Sequence, residues 1–355
     1  MNALVLIPRR AGVRYAEVEV AATHVTRARK LSDGAPRGMA MTVQEVCAAR
    51  ARHHTERPID ALCIRAMFGG LTFPGPVVVD ETNQARLREL AAQAPLAVAN
   101  TNGLIEEARA AFPRLPVALA FETSFFVGLP SRETTYALPS GDGTSARRWG
   151  YHGLFHDTAT DALARTLGRA RNPARMLSIC LEPRPEMAAV LGRTPLVVTG
   201  GSTEGVGLPG ESNSGEIDPA IPLALAADPA IGPEGANLLL TRASGFRGML
   251  GYRITLAEVL REKRARVARV REHLLYHMTL AAGAALAALE GLDGVVFSGR
   301  YAEHADEVAA CLIPKLERTL DLAPGALPWR VCLSPLEAIV AETGLGALVA
   351  RRSKA

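Results

Sequence analysis

The stretch Arg147-Arg148-Trp149-Gly150-Tyr151-His152-Gly153-Leu154-Phe155-His156 is the most informative part of this sequence. It places two guanidinium groups, two imidazoles and two glycines within a short segment that follows a turn rich in Pro, Gly and Ser. Arginine forms paired hydrogen bonds with phosphate and carboxylate oxygens, and histidine exchanges protons near neutral pH. Core packing does not require such a concentration of polar groups, so we expect the segment to carry chemistry.

The overall composition is typical of a globular protein with room for two domains. The chain has 355 residues, of which 48% are hydrophobic, and its formal net charge is +4. The basic stretch at residues 261–271 has a helical pattern that fits a solvated helix face. Aromatic residues make up only 5% of the chain, whereas a nucleic-acid-binding surface needs aromatics beside its charges. The composition therefore excludes nucleic acid as an expected partner.

Cysteine usage and the apolar runs predict a cytoplasmic protein. The chain has 5 cysteines and no Cys-x-x-Cys pair, which indicates reduced thiols. The N-terminal apolar run is short and is followed by arginines, unlike a signal peptide, and no run approaches membrane-spanning length. His273 and His277 are one helical turn apart with no third ligand nearby, so we favour a structural role for them.

Strand and helix patterns alternate in both halves of the chain. Apolar runs at residues 3–7, 117–121 and 294–298 predict buried strands. Residues 254–289 are predicted to be predominantly helical, and residues 306–320 form another helix. This alternation predicts an α/β protein, plausibly built of two related lobes.

Further motifs follow one another along nearly the whole chain. In order they are Arg65 with Gly69-Gly70, Ala94-Pro95-Leu96, Phe121-Glu122-Thr123-Ser124-Phe125, Tyr136-Ala137-Leu138-Pro139, the segment 147–153, Ser214-Gly215-Glu216-Ile217-Asp218-Pro219 and Gly291-Leu292-Asp293-Gly294-Val295-Val296-Phe297. Each motif is weak by itself. Together, and in this order, they resemble the motifs of the acetate kinases and related acyl kinases.

The resemblance implies a two-lobed actin-like ATPase fold, as in acetate and sugar kinases, Hsp70 and actin, with duplicated ribonuclease H-like domains. The first lobe would comprise residues 1–123 plus 338–355. The second would comprise residues 124–337 and would contain nucleotide-side and dimer-forming elements, so the resemblance also implies a homodimer.

The resemblance further implies an ATP-dependent transfer of a phosphoryl group to a short-chain carboxylate. Negative charge spreads over oxygens in line between donor and acceptor during such a transfer, and arginine and histidine can stabilise it. Arg65 would hold the carboxylate substrate or the transferring group, and His152 would stabilise the transferring group. Glu122 stands in the place of the family's catalytic Asp.

The same resemblance assigns residues to ATP and Mg²⁺. Arg14, Tyr151 and Arg253 would contact the nucleotide, and Glu337 would help to hold Mg²⁺, which neutralises the β- and γ-phosphates.

Each of these residues also has a structural interpretation. Arg65 at a strand end can simply pair with Glu122. His152 can be a satisfied interior histidine, although its flanking glycines favour function. Glu337 in the closing helix fits a solvated surface glutamate, and His156 fits a residue that packs against or caps the helix that follows it.

The departures from the family pattern concentrate in the phosphate and nucleotide loops. The first phosphate loop is replaced by Ile7-Pro8-Arg9-Arg10-Ala11-Gly12-Val13-Arg14, in which Pro8 lacks an N–H donor. The second reads Cys180-Leu181-Glu182-Pro183-Arg184-Pro185-Glu186 and places two acids where polyanions would dock. Asn213 replaces the second catalytic Arg, and residues 300–304 differ from the family's adenine-binding loop.

Three functions follow from this pattern. The chain is an acetate-kinase-like phosphotransferase of weak or altered activity, or it is a catalytically degenerate paralogue that serves as a binding or dimerisation partner. In the third, Arg9, Arg10, Arg184 and Arg300 bind another small anion in place of ATP.

Overall fold

The computed structural model describes residues 1–9, 12–20, 25–29, 42–52, 58–139, 146–168 and 173–353. The chain divides into two compact units. Unit 1 comprises Met1–Val127 together with Ser334–Ala355, and unit 2 comprises Gly128–Leu333.

Unit 1 is built on a mixed sheet of six described strands, in the order β3-β2-β1-β4-β6-β5. The strands are β1 (Asn2–Arg9), β2 (Gly12–Val20), β3 (Val25–Arg29), β4 (Ala61–Ala66), β5 (Val77–Val78) and β6 (Val117–Phe121). β1, β2 and β3 are antiparallel neighbours, whereas β4 is parallel to β1 and to β6. Its helices are α1 (Val43–Arg52), α2 (Glu81–Glu89), α3 (Pro95–Ala111) and α12 (Leu336–Arg352).

The central strands of unit 1 are apolar on both faces, which is why they lie in the middle of the sheet. Residues 3–7 of β1 are at most 2% exposed, and β6 is buried along its whole length. Helix α12 packs against β1, β4 and β6. A Cβ at Gly344 would lie 2.6 Å from Cys63 Sγ, so this glycine permits the close approach of α12 to β4. Burial raises the pKa of the Cys63 thiol to about 12.

Unit 2 contains a second mixed sheet, in the order β11-β10-β7-β8-β9. The strands are β7 (Arg175–Cys180), β8 (Glu186–Leu191), β9 (Thr194–Val198), β10 (Gly294–Ser298) and β11 (Trp329–Val331). Its helices are α4 (Ser131–Thr134), α5 (Gly153–Leu167), α6 (Ala220–Ala227), α7 (Gly232–Leu238), α8 (Gly245–Leu250), α9 (Leu256–Arg261), α10 (Ala265–Leu289) and α11 (Ala305–Thr319). The apolar face of α10 packs against β7 and β8 and forms the centre of the core.

The two sheets repeat one strand pattern. In each, the first strand pairs antiparallel with the second and the second with the third, and the first is parallel to the fourth. The fourth strand is in turn parallel to the last, β6 in unit 1 and β11 in unit 2. Unit 1 adds the short β5 beside β6. The sequence-based expectation of an α/β chain with duplicated domains is therefore confirmed.

The long helix predicted over residues 254–289 is divided into α9 and α10. Thr255 and Glu258 form a reciprocal capping box that starts α9, and the chain leaves helical geometry at Glu262 before α10 begins. Within the described residues, we find no helix that is both long and apolar enough to cross a membrane.

Candidate functional site

Arg65 and Glu122 lie at the carboxyl ends of two neighbouring parallel strands of unit 1. Arg65 is opposite Ala120 in the pairing of β4 with β6, and Glu122 follows β6 directly. Arg65 donates from Nε to Glu122 Oε1 at 2.5 Å. Glu122 is fully buried, and the Arg65 side chain is 14% exposed. The carboxyl end of a parallel sheet is the usual place for ligand-binding residues in α/β folds.

The turn that follows β4 packs tightly against the end of β6. Gly69 donates its N–H to Thr123 Oγ1 at 2.9 Å. A Cβ at Gly69 would lie 2.8 Å from the ring of Phe121, so only glycine allows this approach. The turn thereby braces the strand end that carries Glu122.

Arg14 and Glu337 form a second ion pair in unit 1. Arg14 Nη2 lies 2.7 Å from Glu337 Oε1, and the side chains are 27% and 12% exposed. Arg14 lies on β2 opposite Ile7 of β1, and Glu337 lies in the first turn of α12. Glu337 is therefore not the solvated surface glutamate that its helix position suggested.

The donor set around Glu337 bears on whether Mg²⁺ fits. Among the described residues there is no cluster of His, Cys, Asp or Glu that could hold a metal ion without further ligands. Mg²⁺, however, is usually bound by one or two carboxylates together with substrate phosphates. The carboxylate of Glu337 is a donor of that kind, and Mg²⁺ would have to displace Arg14 from it.

In unit 2, His152 immediately precedes helix α5 and is held by the β7–β8 hairpin. Its backbone N–H donates to Glu186 Oε1 at 3.0 Å. Its ring Nε2 lies 3.0 Å from the carbonyl oxygen of Arg184. Since a carbonyl oxygen only accepts, Nε2 must carry the proton.

Tyr151 is buried beside His152. Its hydroxyl donates to Ser202 O at 2.7 Å, and its backbone N–H donates to Glu186. Burial, together with the charges of Glu204 and Glu186, raises the pKa of the Tyr151 hydroxyl. Arg253, the other expected nucleotide contact in this unit, is exposed between α8 and α9.

His156 belongs to a buried polar cluster. Its Nδ1 lies 2.7 Å from Ser178 Oγ and its Nε2 lies 3.3 Å from Glu186 Oε1. Burial by itself would raise the pKa of Glu186, but the hydrogen bond with His156, the charges of His152 and His156 and the N–H of Tyr151 outweigh it and lower that pKa. His156 was expected to pack against or cap the following helix; it lies within α5 and is fully buried, so the capping alternative is wrong and His156 packs in the core.

Both arginines that open the motif, Arg147 and Arg148, make contacts within unit 2. The guanidinium of Arg147 lies over the Trp149 ring, 4.6 Å from its centroid. Arg148 donates to Gly200 O at 2.7 Å and lies 3.6 Å from Glu133. Both side chains therefore help to fix the segment that leads to His152.

Charged residues of the loop that replaces the second phosphate loop pair with residues outside that loop. Glu182 accepts the backbone N–H of Arg300 at 2.7 Å and lies 3.4 Å from its guanidinium. Arg184 pairs with Glu204 at 2.6 Å.

Asn213, at the place of the family's second catalytic Arg, is buried and donates to Leu208 O. The remaining residues proposed for an alternative anion, the Arg9 side chain and Arg10, lie outside the described residues.

The most important residue that sequence reasoning missed is Glu186. The sequence shows an acid in a loop with two prolines, which suggested only repulsion of phosphate. Its role depends on the pairing of Glu186 with Cys180 in the β7–β8 hairpin, which brings its carboxylate to the backbone of Tyr151 and His152. No local signal in the sequence reports that contact.

Known proteins share both the sequence pattern and the fold. The acetate kinase of Rhodopseudomonas palustris (strain ATCC BAA-98 / CGA009) is 32% identical over 254 residues, which cover 71% of this chain and 64% of that protein. The acetate kinase of Leifsonia xyli subsp. xyli is 31% identical over 316 residues, covering 84% and 78%. The chain thus spans somewhat less than two thirds of the first relative's length and more of the second's.

Solved structures agree on the fold. A propionate kinase from Francisella tularensis superposes with a TM-score of 0.81 at 19% identity, covering 97% of this chain and 99% of that one. The acetate kinase of Porphyromonas gingivalis gives a TM-score of 0.81 at 20% identity, covering 98% and 99%. The Acetokinase family model matches residues 12–323. On these matches, and on the motifs that the fold places at its strand ends and helix starts, the chain belongs to the acetokinase family.

Proposed function

We propose that this chain is an ATP-dependent carboxylate kinase, which transfers the γ-phosphoryl group of ATP to a short-chain acid and yields an acyl phosphate and ADP. The observation that supports it best is the Arg65–Glu122 pair at the carboxyl ends of two parallel strands, in a chain that belongs to the acetokinase family. The activity and the substrate class named for the full-length relatives are proposed for this chain.

In the proposed mechanism Arg65 binds the negative charge of the acid or of the transferring phosphoryl group. A guanidinium presents its donors in a fixed plane, and the bond from Nε to the buried Glu122 fixes that plane. Glu122 therefore orients Arg65 and balances its charge. Electrostatic stabilisation of this kind, by groups already in place, is often the largest contribution to catalysis.

His152 is proposed to stabilise the negative charge of the transferring group as an imidazolium, with Nε2 kept on Arg184 O and Nδ1 as the remaining donor. Its backbone is fixed by Glu186 and its ring by Arg184 O, so the imidazole is oriented before any ligand binds. Tyr151 supports this orientation from the core, and the exposed Arg253 remains a proposed contact for the nucleotide.

Glu337 is proposed to hold Mg²⁺ and Arg14 to contact the phosphates of ATP. The metal ion would supply neutralisation of phosphate charge. Binding would require Arg14 and Glu337 to exchange their mutual ion pair for these ligands.

The second candidate function is that of a paralogue without turnover, which binds a partner or another small anion. The Glu182–Arg300 contact favours it, because the segment that replaces the second phosphate loop presents a carboxylate, which occupies the backbone N–H of Arg300. Removing one such donor from a phosphate costs on the order of 3 kcal/mol in a transition state.

Calorimetry with MgATP, combined with an assay of ADP release in the presence of acetate, propionate and butyrate, separates the two candidates. The kinase predicts micromolar binding and acid-dependent release of ADP. The alternative predicts a folded protein with neither, and it predicts that Glu182→Gln increases nucleotide affinity because the competing negative charge is gone.

A second copy of the chain is the proposed partner, and the cytoplasm is the proposed location. Helix α6 consists entirely of apolar residues and buries none of them, and Leu223 is 70% exposed. Exposed apolar patches mark interaction surfaces. We expect light scattering to show a dimer for the wild type and a monomer for Leu223→Glu, with unchanged melting of each unit; a monomeric wild type would refute this assignment.

A further inference from the structure

Glu186 is a buried carboxylate whose hydrogen bonds converge on one segment. It is 5% exposed and is the first residue of β8. Its Oε2 accepts the Tyr151 N–H at 2.9 Å, and its Oε1 accepts the His152 N–H at 3.0 Å. Burying a charge is costly unless it is well bonded, so these contacts hold the backbone firmly.

The same loop also fixes the imidazole of His152. Arg184, two residues before Glu186, supplies the carbonyl oxygen that accepts from Nε2. Within the described contacts, the buried Nδ1 of His152 has no hydrogen-bond partner. The ring is therefore held from one side, and its orientation depends on where Glu186 places the backbone.

The His156–Ser178 pair also lies against Glu186. His156 Nε2 faces Oε1 at 3.3 Å while Ser178 Oγ fixes His156 Nδ1 at 2.7 Å. The ring of His156 thus lies against the carboxylate, and its proximity helps to lower the pKa of Glu186. Glu186 also directs its two oxygens to two successive backbone amides, those of Tyr151 and His152, outside the core ion pair.

We propose that Glu186 is a positioning residue, which holds the Tyr151–His152 backbone and so aims the His152 imidazole for phosphoryl transfer. Its catalytic consequence rests on the proposed kinase function, but the positioning itself is a property of this loop and is measurable without turnover.

The substitution Glu186→Gln tests this directly. Gln keeps the shape but replaces one acceptor oxygen with an NH₂ donor, which then faces the N–H of Tyr151 or of His152. We expect amide hydrogen exchange in the peptide that covers residues 149–156 to become about tenfold faster, as for the loss of one strong hydrogen bond. We expect kcat to fall about tenfold or more while KM for the acid changes little.

Glu317→Gln is the matched control. Glu317 is also buried, at 4% exposed, and accepts a backbone N–H from Leu327 at 3.1 Å. It lies on α11 and has no contact with the loop of Glu186 among its described bonds. We expect it to lower the melting temperature without changing kcat or exchange at residues 149–156.

The outcomes separate the two claims. Wild-type exchange at residues 149–156 in Glu186→Gln would overturn the positioning role, whatever the activity. A wild type that lacks turnover would overturn the kinase proposal, while the exchange still decides the role of Glu186. Should Glu186→Gln fail to melt cooperatively, Glu186→Asp retains the charge but retracts it, and faster exchange at residues 149–156 is again required.

Discussion

Arg14 Nη2 lies 2.7 Å from Glu337 Oε1, so the residue expected at the phosphates of ATP and the residue expected at Mg²⁺ form an ion pair with each other. The pair couples β2 to the first turn of α12. If the two residues serve one nucleotide site, the binding of a metal-bound phosphate must replace this contact with two stronger ones.

The substitution Glu337→Gln removes the charge proposed to hold Mg²⁺. We expect Kd for MgATP to increase about tenfold, or about 1.4 kcal/mol, while Kd for ATP in EDTA does not increase, because Arg14 is released from its pair with Glu337. Calorimetry with and without Mg²⁺ measures both values. Glu342→Gln, at an exposed position of the same helix, is the control. Equal effects of Glu337→Gln on both forms of ATP would contradict the metal assignment.

The Arg65–Glu122 pair predicts a strong asymmetry between single and double substitutions. Arg65→Met leaves a fully buried Glu122 carboxylate without this partner, and we expect a loss of about 3–5 kcal/mol in unfolding free energy. Arg65→Met combined with Glu122→Leu should recover more than half of that loss. Denaturant unfolding gives the stabilities, and turnover should remain lost in both proteins. A double variant that unfolds as easily as the single one would refute the pairing.

Two glycines on α12 predict opposite effects of the same substitution. A Cβ at Gly344 would lie 2.6 Å from Cys63 Sγ, so Gly344→Ala overpacks the helix against β4 and should cost about 1–3 kcal/mol. A Cβ at Gly346 meets open space, so Gly346→Ala should stabilise by about 0.5–1 kcal/mol. Thermal or denaturant melts of both variants check the pair of signs. Effects of the same sign would show that α12 packs differently.

The lowered pKa of Glu186 predicts a specific loss of stability in acid. Its ordinary value is 4.5, and because its folded pKa is below this, unfolding takes up a proton in acid. The stabilisation is complete above that value and is lost as the pH falls through the folded pKa. The groups that face Glu186 are His152, His156 and the Tyr151 N–H.

We therefore expect the stability of the wild type to fall more steeply than that of Glu186→Gln below about pH 4.5, and the two slopes to agree near neutral pH. Urea unfolding as a function of pH measures the difference. Parallel slopes in acid would mean that folding does not lower the pKa of Glu186.

Much of the fold could be predicted from the sequence because its central strands are continuous apolar runs. Residues 3–7 and 117–121 are buried on both sides of the first sheet, as their composition indicates. The Arg65–Glu122 pair was one of two interpretations open from the sequence, since both residues were expected at strand ends.

The rest of the site depends on contacts between distant segments. The helix position of Glu337 leaves a Mg²⁺ ligand and a surface glutamate both open, because it says nothing about β2, where Arg14 meets it. The sequence indicates only a repulsive charge at Glu186, since the backbone amides that it binds lie 34 and 35 positions earlier in the chain. The break between α9 and α10 was missed because the helical pattern continues through residues that the chain uses to turn.

Trapping of acyl phosphate by hydroxylamine, with MgATP and acetate, propionate or butyrate as substrates, measures the proposed phosphoryl transfer itself. We predict hydroxamate above the enzyme-free background with at least one of the acids, and its loss in His152→Ala. No hydroxamate with any acid from a folded wild-type protein would contradict the kinase assignment.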